Sequence, residues 1–470
     1  MSGGGNGKAA GAAQIERSAM SFLRLASKAV RLGLLRVGAG WMFALLTFNF
    51  NRTAIADLGA MAVIVATLIG LHHFLSPTFV FWGRFSDRHP ILGFRRTPYI
   101  LISSLGASLL FLLLPGLAIG LGEQSWLATA QAFLVILVFG ILMGMNGSTS
   151  NGLLAEITTD KERGGIVAFV WAVLIISGIA AAGVAGVVMP VYDPVQMQQL
   201  YNLTPMVVMA TALLGVIGLE RRVNQAELQQ IRNRQDHDSA SAAGTYRVTL
   251  RLMRENRQVR MFAIFVLLAI MGIFLQDAVL EPMGAEVFDM EQWETARFQQ
   301  IWGVGALLGM FGIGALSGFL PVSKKQIATF GGLTVATGLS MVALSAATYQ
   351  QSLITPALLL TGTGIGLFNV GALSMMMEMT IEGQAGFYMG IWGMSQGLGN
   401  GLANVFSGVM HTGLIETGLM TVSGAYTLIF GFEALVMLMA IGILRSVSVQ
   451  EFQGLSRTDV TQALALDTAG

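Results

Sequence analysis

Long runs of apolar residues constrain this chain more than any other feature in it. Each run is long enough to cross a bilayer as a helix, which takes roughly 20 residues. A backbone surrounded by lipid must satisfy its own hydrogen bonds, so such runs have to be helical. Barrel-type membrane proteins show short alternating segments instead, and that pattern is absent here. The first six runs fall at 37–56, 60–82, 97–120, 126–155, 164–189 and 203–220. The next six fall at 259–281, 297–320, 326–349, 353–379, 384–410 and 424–444. Only 11% of the residues are charged, against about a quarter in soluble domains, and mean hydropathy is +0.67. A soluble enzyme and a disordered protein are both excluded.

The placement of charge sets the expected orientation, because cytoplasmic loops collect Lys and Arg. With both termini inside, 25 of the 27 basic residues fall on the inner side, and only Arg52 and Arg297 fall near the outer side. The expected division is a tail and basic amphipathic helix over 1–36, a first half over 37–220 and a cytoplasmic linker over 221–258. A second half over 259–445 and a tail over 446–470 complete it. The absence of cysteine excludes disulfides, zinc–thiolate sites, iron–sulfur clusters and thiol catalysis. A net charge of +1 supplies no bulk field for nucleic acid, so none is expected as a partner.

The two halves repeat. Asn51-Arg52-Thr53-Ala54-Ile55-Ala56-Asp57-Leu58-Gly59 closes the first run, and Gln276-Asp277-Ala278-Val279-Leu280-Glu281-Pro282-Met283-Gly284 closes the seventh, at a constant offset of 225 residues. Six spans repeated in parallel describe an all-α membrane protein of the major facilitator fold. Its twelve transmembrane helices form two pseudo-symmetric halves, with a binding site expected between them at mid-membrane. The repeat sets Arg52 opposite Asp277, which opens the option of a cross-half ion pair. Glycine pairs such as Gly140/Gly144 and Gly305/Gly309 have the spacing that lets helix backbones approach closely. Gly362, Gly364 and Gly366 mimic a nucleotide loop, but they lie inside an apolar run with no strand before them.

Three groups of residues are candidates for function. The loop between runs two and three carries Gly83, Asp87, Arg88, Gly93, Arg95 and Arg96. An acid among arginines at a helix junction suits a charge-latched gate, since a rocking motion can break its contacts. The alternative is a basic loop that only sets topology. Ionisable residues inside a membrane are functional suspects. His72 and His73 offer imidazole nitrogens for a metal-centred ring or a proton relay, or a plain interhelical bond. Glu433 is the one charge deep in the twelfth run. Gln396, Asn400 and Asn404 recur every four residues and so form one polar stripe, suited to ligand carbonyls or to helix–helix bonds. No catalytic signature appears, so no enzyme activity is expected.

Several of these segments together resemble the PucC/LhaA family, the bacteriochlorophyll-delivery branch of the major facilitator superfamily. They are Asn51-Arg52 with Leu58-Gly59, Ser86-Asp87 leading to Gly93-Phe94-Arg95-Arg96-Thr97-Pro98-Tyr99-Ile100, and Leu275 through Gly284. The resemblance spans about residue 30 to about residue 445. It implies a role in assembling light-harvesting complexes, by delivering or holding (bacterio)chlorophyll or by guiding antenna polypeptides. Antenna polypeptides, lipids and pigment-synthesis or membrane-insertion machinery are the implied partners, and (bacterio)chlorophyll the implied cargo. His72 or His73 would then be the axial ligand to chlorophyll magnesium, with no other metal. The rival readings are a proton- or ion-coupled transporter of a small apolar solute, and a structural subunit retained in a mature pigment–protein complex.

Overall fold

The computed structural model describes residues 5–75, 78–232, 257–316, 322–379 and 385–448. Most of the expected linker (233–256) and the tail from 449 onward lie outside the described residues, as does the Ser76-Pro77 step in the second run. The first half opens with α1 (Gly5–Ala44), which continues through π-helical turns at Leu45–Phe50 and Thr53–Asp57. It goes on through α2 (Ala62–Phe74), α3 (Thr78–Arg88), α4 (Thr97–Leu110), α5 (Leu114–Gly122), α6 (Trp126–Ile157), α7 (Asp160–Val188) and α8 (Pro194–Val216). The second half opens with α9 (Arg257–Phe274), a 3-10 turn at Leu275–Ala278 and α10 (Leu280–Phe288). Then come α11 (Gln292–Leu316), α12 (Lys324–Thr348), α13 (Ile354–Met379), α14 (Ala385–His411) and α15 (Val422–Ser446). Among the described residues, nine helical stretches are long and apolar enough to cross a membrane.

Helix starts follow local side-chain chemistry. Ser125, Asp193 and Thr421 accept backbone N–H bonds at the N-termini of α6, α8 and α15, and Thr159 and Ser323 form capping boxes on α7 and α12. Several boundaries differ from the hydropathy reading. The sixth helix begins at Pro194 rather than 203, because Asp193 caps it ahead of a polar first turn. The second run is two helices, α2 and α3, and the seventh is broken by a 3-10 turn before Pro282. The basic amphipathic segment is continuous with the first span.

Each half has its own apolar core. One is built on Phe48, Phe111, Phe139 and Tyr201, the other on Phe262, Phe265, Phe368 and Phe430. The halves meet along two helix pairs, α2 with α14 and α7 with α11. Glycine sets several of these distances. Gly70 lies so close to α14 that an added Cβ would stand 2.9 Å from the Gly401 carbonyl oxygen. Gly362 and Gly366 meet α11 while Gly364 meets α12, so this triplet is a packing device.

Candidate functional site between the halves

Both halves unwind at the positions that the repeat matches. The π-helical turn at Leu45–Phe50 packs on the 3-10 turn of the seventh span, and the turn at Thr53–Asp57 packs on α10. Around this contact the chain places a group of buried polar side chains. Asn51 is wholly buried, and its Nδ2 donates across the halves to the Asp277 carbonyl at 3.1 Å. Glu433 is wholly buried on α15, and its Oε1 accepts the Gln276 backbone N–H at 2.9 Å. Glu281 is buried on α10, at the start of the helix that follows the break.

Arg52 does not form the cross-half ion pair with Asp277 that the repeat allowed. Its guanidinium Nη1 grips Asp57 of its own half, at 2.7 and 2.9 Å from the two carboxylate oxygens. The reason is local: Asp57 follows Arg52 by five residues, and the π-helical turn brings the two side chains together. Arg52 still reaches across, donating from Nη2 to the Met290 carbonyl at 2.6 Å. Gln292 returns the contact, its Nε2 donating to Thr53 Oγ1 at 2.8 Å and Asp57 Oδ2 at 2.6 Å. The Trp293 N–H donates to the Pro190 carbonyl, and the Val63 N–H to Thr412 Oγ1. These bonds gather at the end of the bundle away from the basic loops and hold that end closed.

Deeper along the same interface lie the histidines and the amide stripe. His72 is buried, its ring stacked on Phe43 at 5.1 Å and set edge-on to Phe139 at 6.0 Å. The His73 ring centroid is 3.8 Å away. The ring nitrogens of His72 make no well-formed hydrogen bond, the Ile69 backbone one turn earlier being the polar group that acts on the ring. Gly140 of α6 lets the His72 backbone come close, since a Cβ there would stand 3.0 Å from His72 Cα. On α14, Asn404 Nδ2 donates to the Asn400 carbonyl and Oδ1 at 3.0 and 3.2 Å, and Asn404 Oδ1 has no partner. The stripe is therefore bonded partly to itself. Asn404 stands against Gly70, half a turn from His72 on α2, while Gln396 is half-buried two turns further along α14.

The loop motif forms one ion network. Arg95 and Arg96 both hold Asp87, at 2.9 and 2.6 Å, and both hold Glu156 of α6, at 3.1 and 2.8 Å. Arg96 also donates to Ser86 Oγ and to the Gly83 carbonyl. Gly93 turns with φ of +82°, and its carbonyl accepts the Val223 N–H. Arg88 offers its carbonyl to Arg232. The Glu220 carboxylate takes the N–H groups of Arg95, Arg96 and Thr97 at 2.6 to 2.8 Å and so caps α4. All of these groups belong to the first half or to the start of the linker.

Sequence reasoning missed Phe43 and Phe139 around His72, Glu156 and Glu220 around the loop, and Gln292 across the seam. Each is brought in by a distant helix and stands outside the repeated segments Asn51–Gly59 and Gln276–Gly284. It also gave no role to His411. His411 is buried, and its Nε2 bonds Glu286 and the Tyr426 hydroxyl at 3.1 and 2.9 Å.

Comparison with known proteins places this geometry. The family described as PUCC protein matches residues 49–452. The chain is 28% identical over 425 residues to a protein of Rhodobacter capsulatus named bacteriochlorophyll synthase 44.5 kDa chain, covering 87% of this chain and 92% of that one. It is 27% identical to Protein PucC of Cereibacter sphaeroides, covering 89% and 92%. A solved structure on substrate recognition in proton-dependent oligopeptide transporters superposes with a TM-score of 0.65 at 12% identity, covering 92% and 99%. That likeness, with the two-half interface, gives the chain the major facilitator fold of a multi-pass membrane protein.

Proposed function

The chain belongs to the PUCC protein family, and from that premise we propose that it is a light-harvesting assembly factor that holds or delivers (bacterio)chlorophyll. It acts in the cytoplasmic or photosynthetic membrane with both termini cytoplasmic, beside antenna polypeptides, and it is not an enzyme. The observation that carries this reading is His72. A buried imidazole set against Phe43 and Phe139 would hold the pigment's magnesium through a ring nitrogen. His73 stands beside it as the alternative ligand. Gln396, Asn400 and Asn404 offer amides for ring carbonyls at the neighbouring helix contact. When bound, the pigment supplies light absorption. The protein's share is to exclude water and orient the ring. Most of the affinity then comes from apolar contact, at about 25 cal/mol per Å² buried.

The reading is tested by deleting the gene in a phototrophic host and restoring it in trans. Antenna absorption should fall several-fold while total pigment synthesis continues, and should return with the wild-type chain. Normal antenna levels in the deletion strain would refute it. A coupled-transport reading draws on a different observation, the carboxyl groups of Asp277, Glu281 and Glu433 beside the inter-half seam.

A further inference from the structure

The seam between the first and seventh spans is rich in acceptors and poor in donors. Among the described residues, the Arg52 guanidinium beside it is held by Asp57 through Nη1, while its Nε is buried without a partner. Asp277, Glu281 and Glu433 sit around the same break without a salt bridge among the described residues, although the Arg52 charge acts on Glu281. Beside these acids, two neutral amides carry oxygens without partners. Asn51 Oδ1 has none, although its Nδ2 is fixed on the Asp277 carbonyl. Gln276 Oε1 has none, although its Nε2 donates to the Ile273 carbonyl at 3.1 Å. Glu433 Oε2 has none, although Oε1 is bonded to the Gln276 N–H. Asn51, Gln276 and Glu433 are all at most 2% exposed. Three such oxygens come from three spans, on Gln276 itself and on the two residues bonded to the Gln276 N–H and the Asp277 carbonyl.

Buried oxygens without donors ask for a cation or for a ligand that donates hydrogen bonds. Unwound helices at the repeat interface are where membrane carriers build oxygen sites for small ions. Among the described residues no group of three or more His, Asp or Glu side chains could hold a metal ion, so a divalent cage of carboxylates is excluded. One carboxylate with two amide oxygens is the donor set for a hard monovalent ion. We propose that this seam binds sodium through Asn51 Oδ1, Gln276 Oε1 and Glu433 Oε2. Because Asn51 comes from one half and the other two ligands from the other, the ion fastens the halves together. The proposal does not rest on the pigment reading.

The test uses the full chain purified in detergent, in choline chloride at constant ionic strength. Radioactive sodium binding by equilibrium dialysis and thermal unfolding by tryptophan fluorescence are followed as sodium replaces choline. Saturable binding of one ion per chain, with a matching rise in Tm that potassium does not reproduce, is the expected result. Glu433→Gln and Gln276→Met should each weaken binding about tenfold or more, the effect of losing one strong contact to a charge. If either variant fails to fold, the wild-type titration alone decides. No saturable sodium binding would overturn the proposal. So would a rise in Tm produced by acid but not by sodium, which would assign the free oxygens to protons. So would wild-type affinity in both variants.

Discussion

Replacing Gln292 by Leu should open the end of the bundle that the structure holds shut. The side chain is buried, and its Nε2 makes two bonds to the other half, one to the Thr53 hydroxyl and one to the Asp57 carboxylate. A neutral bond contributes about 0.5–1.5 kcal/mol net and a bond to a charged group about 1.5–3. Arg52 keeps its hold on Asp57 and on the Met290 carbonyl, so part of the contact survives the substitution. A loss of about 2 kcal/mol in the closed arrangement is the working figure, a shift of about thirtyfold in the ratio of closed to open states. The natural chain has no cysteine, so spin labels can be placed through Val195→Cys and Leu419→Cys, two exposed positions on opposite halves. Pulsed electron spin resonance should show one dominant distance in the otherwise wild-type protein. A second, longer population should grow in the Gln292→Leu variant. An unchanged distance distribution would refute the claim that these bonds hold the halves together.

Three further outcomes follow from the same geometry. Glu220→Ala strips the acceptor from the three backbone N–H groups that lead into α4 and should cost about 1–2 kcal/mol, seen as a lower Tm and faster proteolysis within 91–96. Asp87→Asn removes the charge that both Arg95 and Arg96 hold. It should lower antenna assembly in a complemented host while membrane insertion, read by immunoblot, stays normal; full antenna levels would reduce Asp87 to a topology signal. Gly362→Val drives a side chain into the Trp302 carbonyl of α11 and should cost about 1–3 kcal/mol or more, measured as a fall in folded protein by fluorescence size-exclusion chromatography.

Hydropathy and charge made the two-half architecture legible, because lipid imposes length and helicity on every span. The repeat of Asn51–Gly59 in Gln276–Gly284 marked matching ends of the first and seventh spans. What hydropathy could not give was where helices depart from apolar runs. The polar turn after Asp193 is helical because a cap and a proline begin it. Pairing was legible only where partners were close in sequence or matched by symmetry. Asp87 was readable as a partner of nearby arginines, whereas Glu156 and Glu220 reach the same arginines from 60 and more than 120 residues away. The symmetry argument also misled once, since Arg52 satisfies itself on Asp57 before it can reach Asp277. His72 stood out as a polar residue in an apolar run, but the rings of Phe43 and Phe139 that surround it come from two other helices.

The most direct test of the pigment-handling account is the absorption spectrum of the chain purified gently from a phototrophic host. Wild type and a variant carrying both His72→Leu and His73→Leu should be compared at equal protein. The account predicts a long-wavelength chlorophyll-type band in the wild-type preparation, with a lower pigment-to-protein ratio in the variant and equal protein yield from matched membranes. Because apolar contact carries most of the affinity, that ratio should fall without reaching zero. A wild-type preparation with no pigment band, or an identical ratio in both proteins, would contradict it.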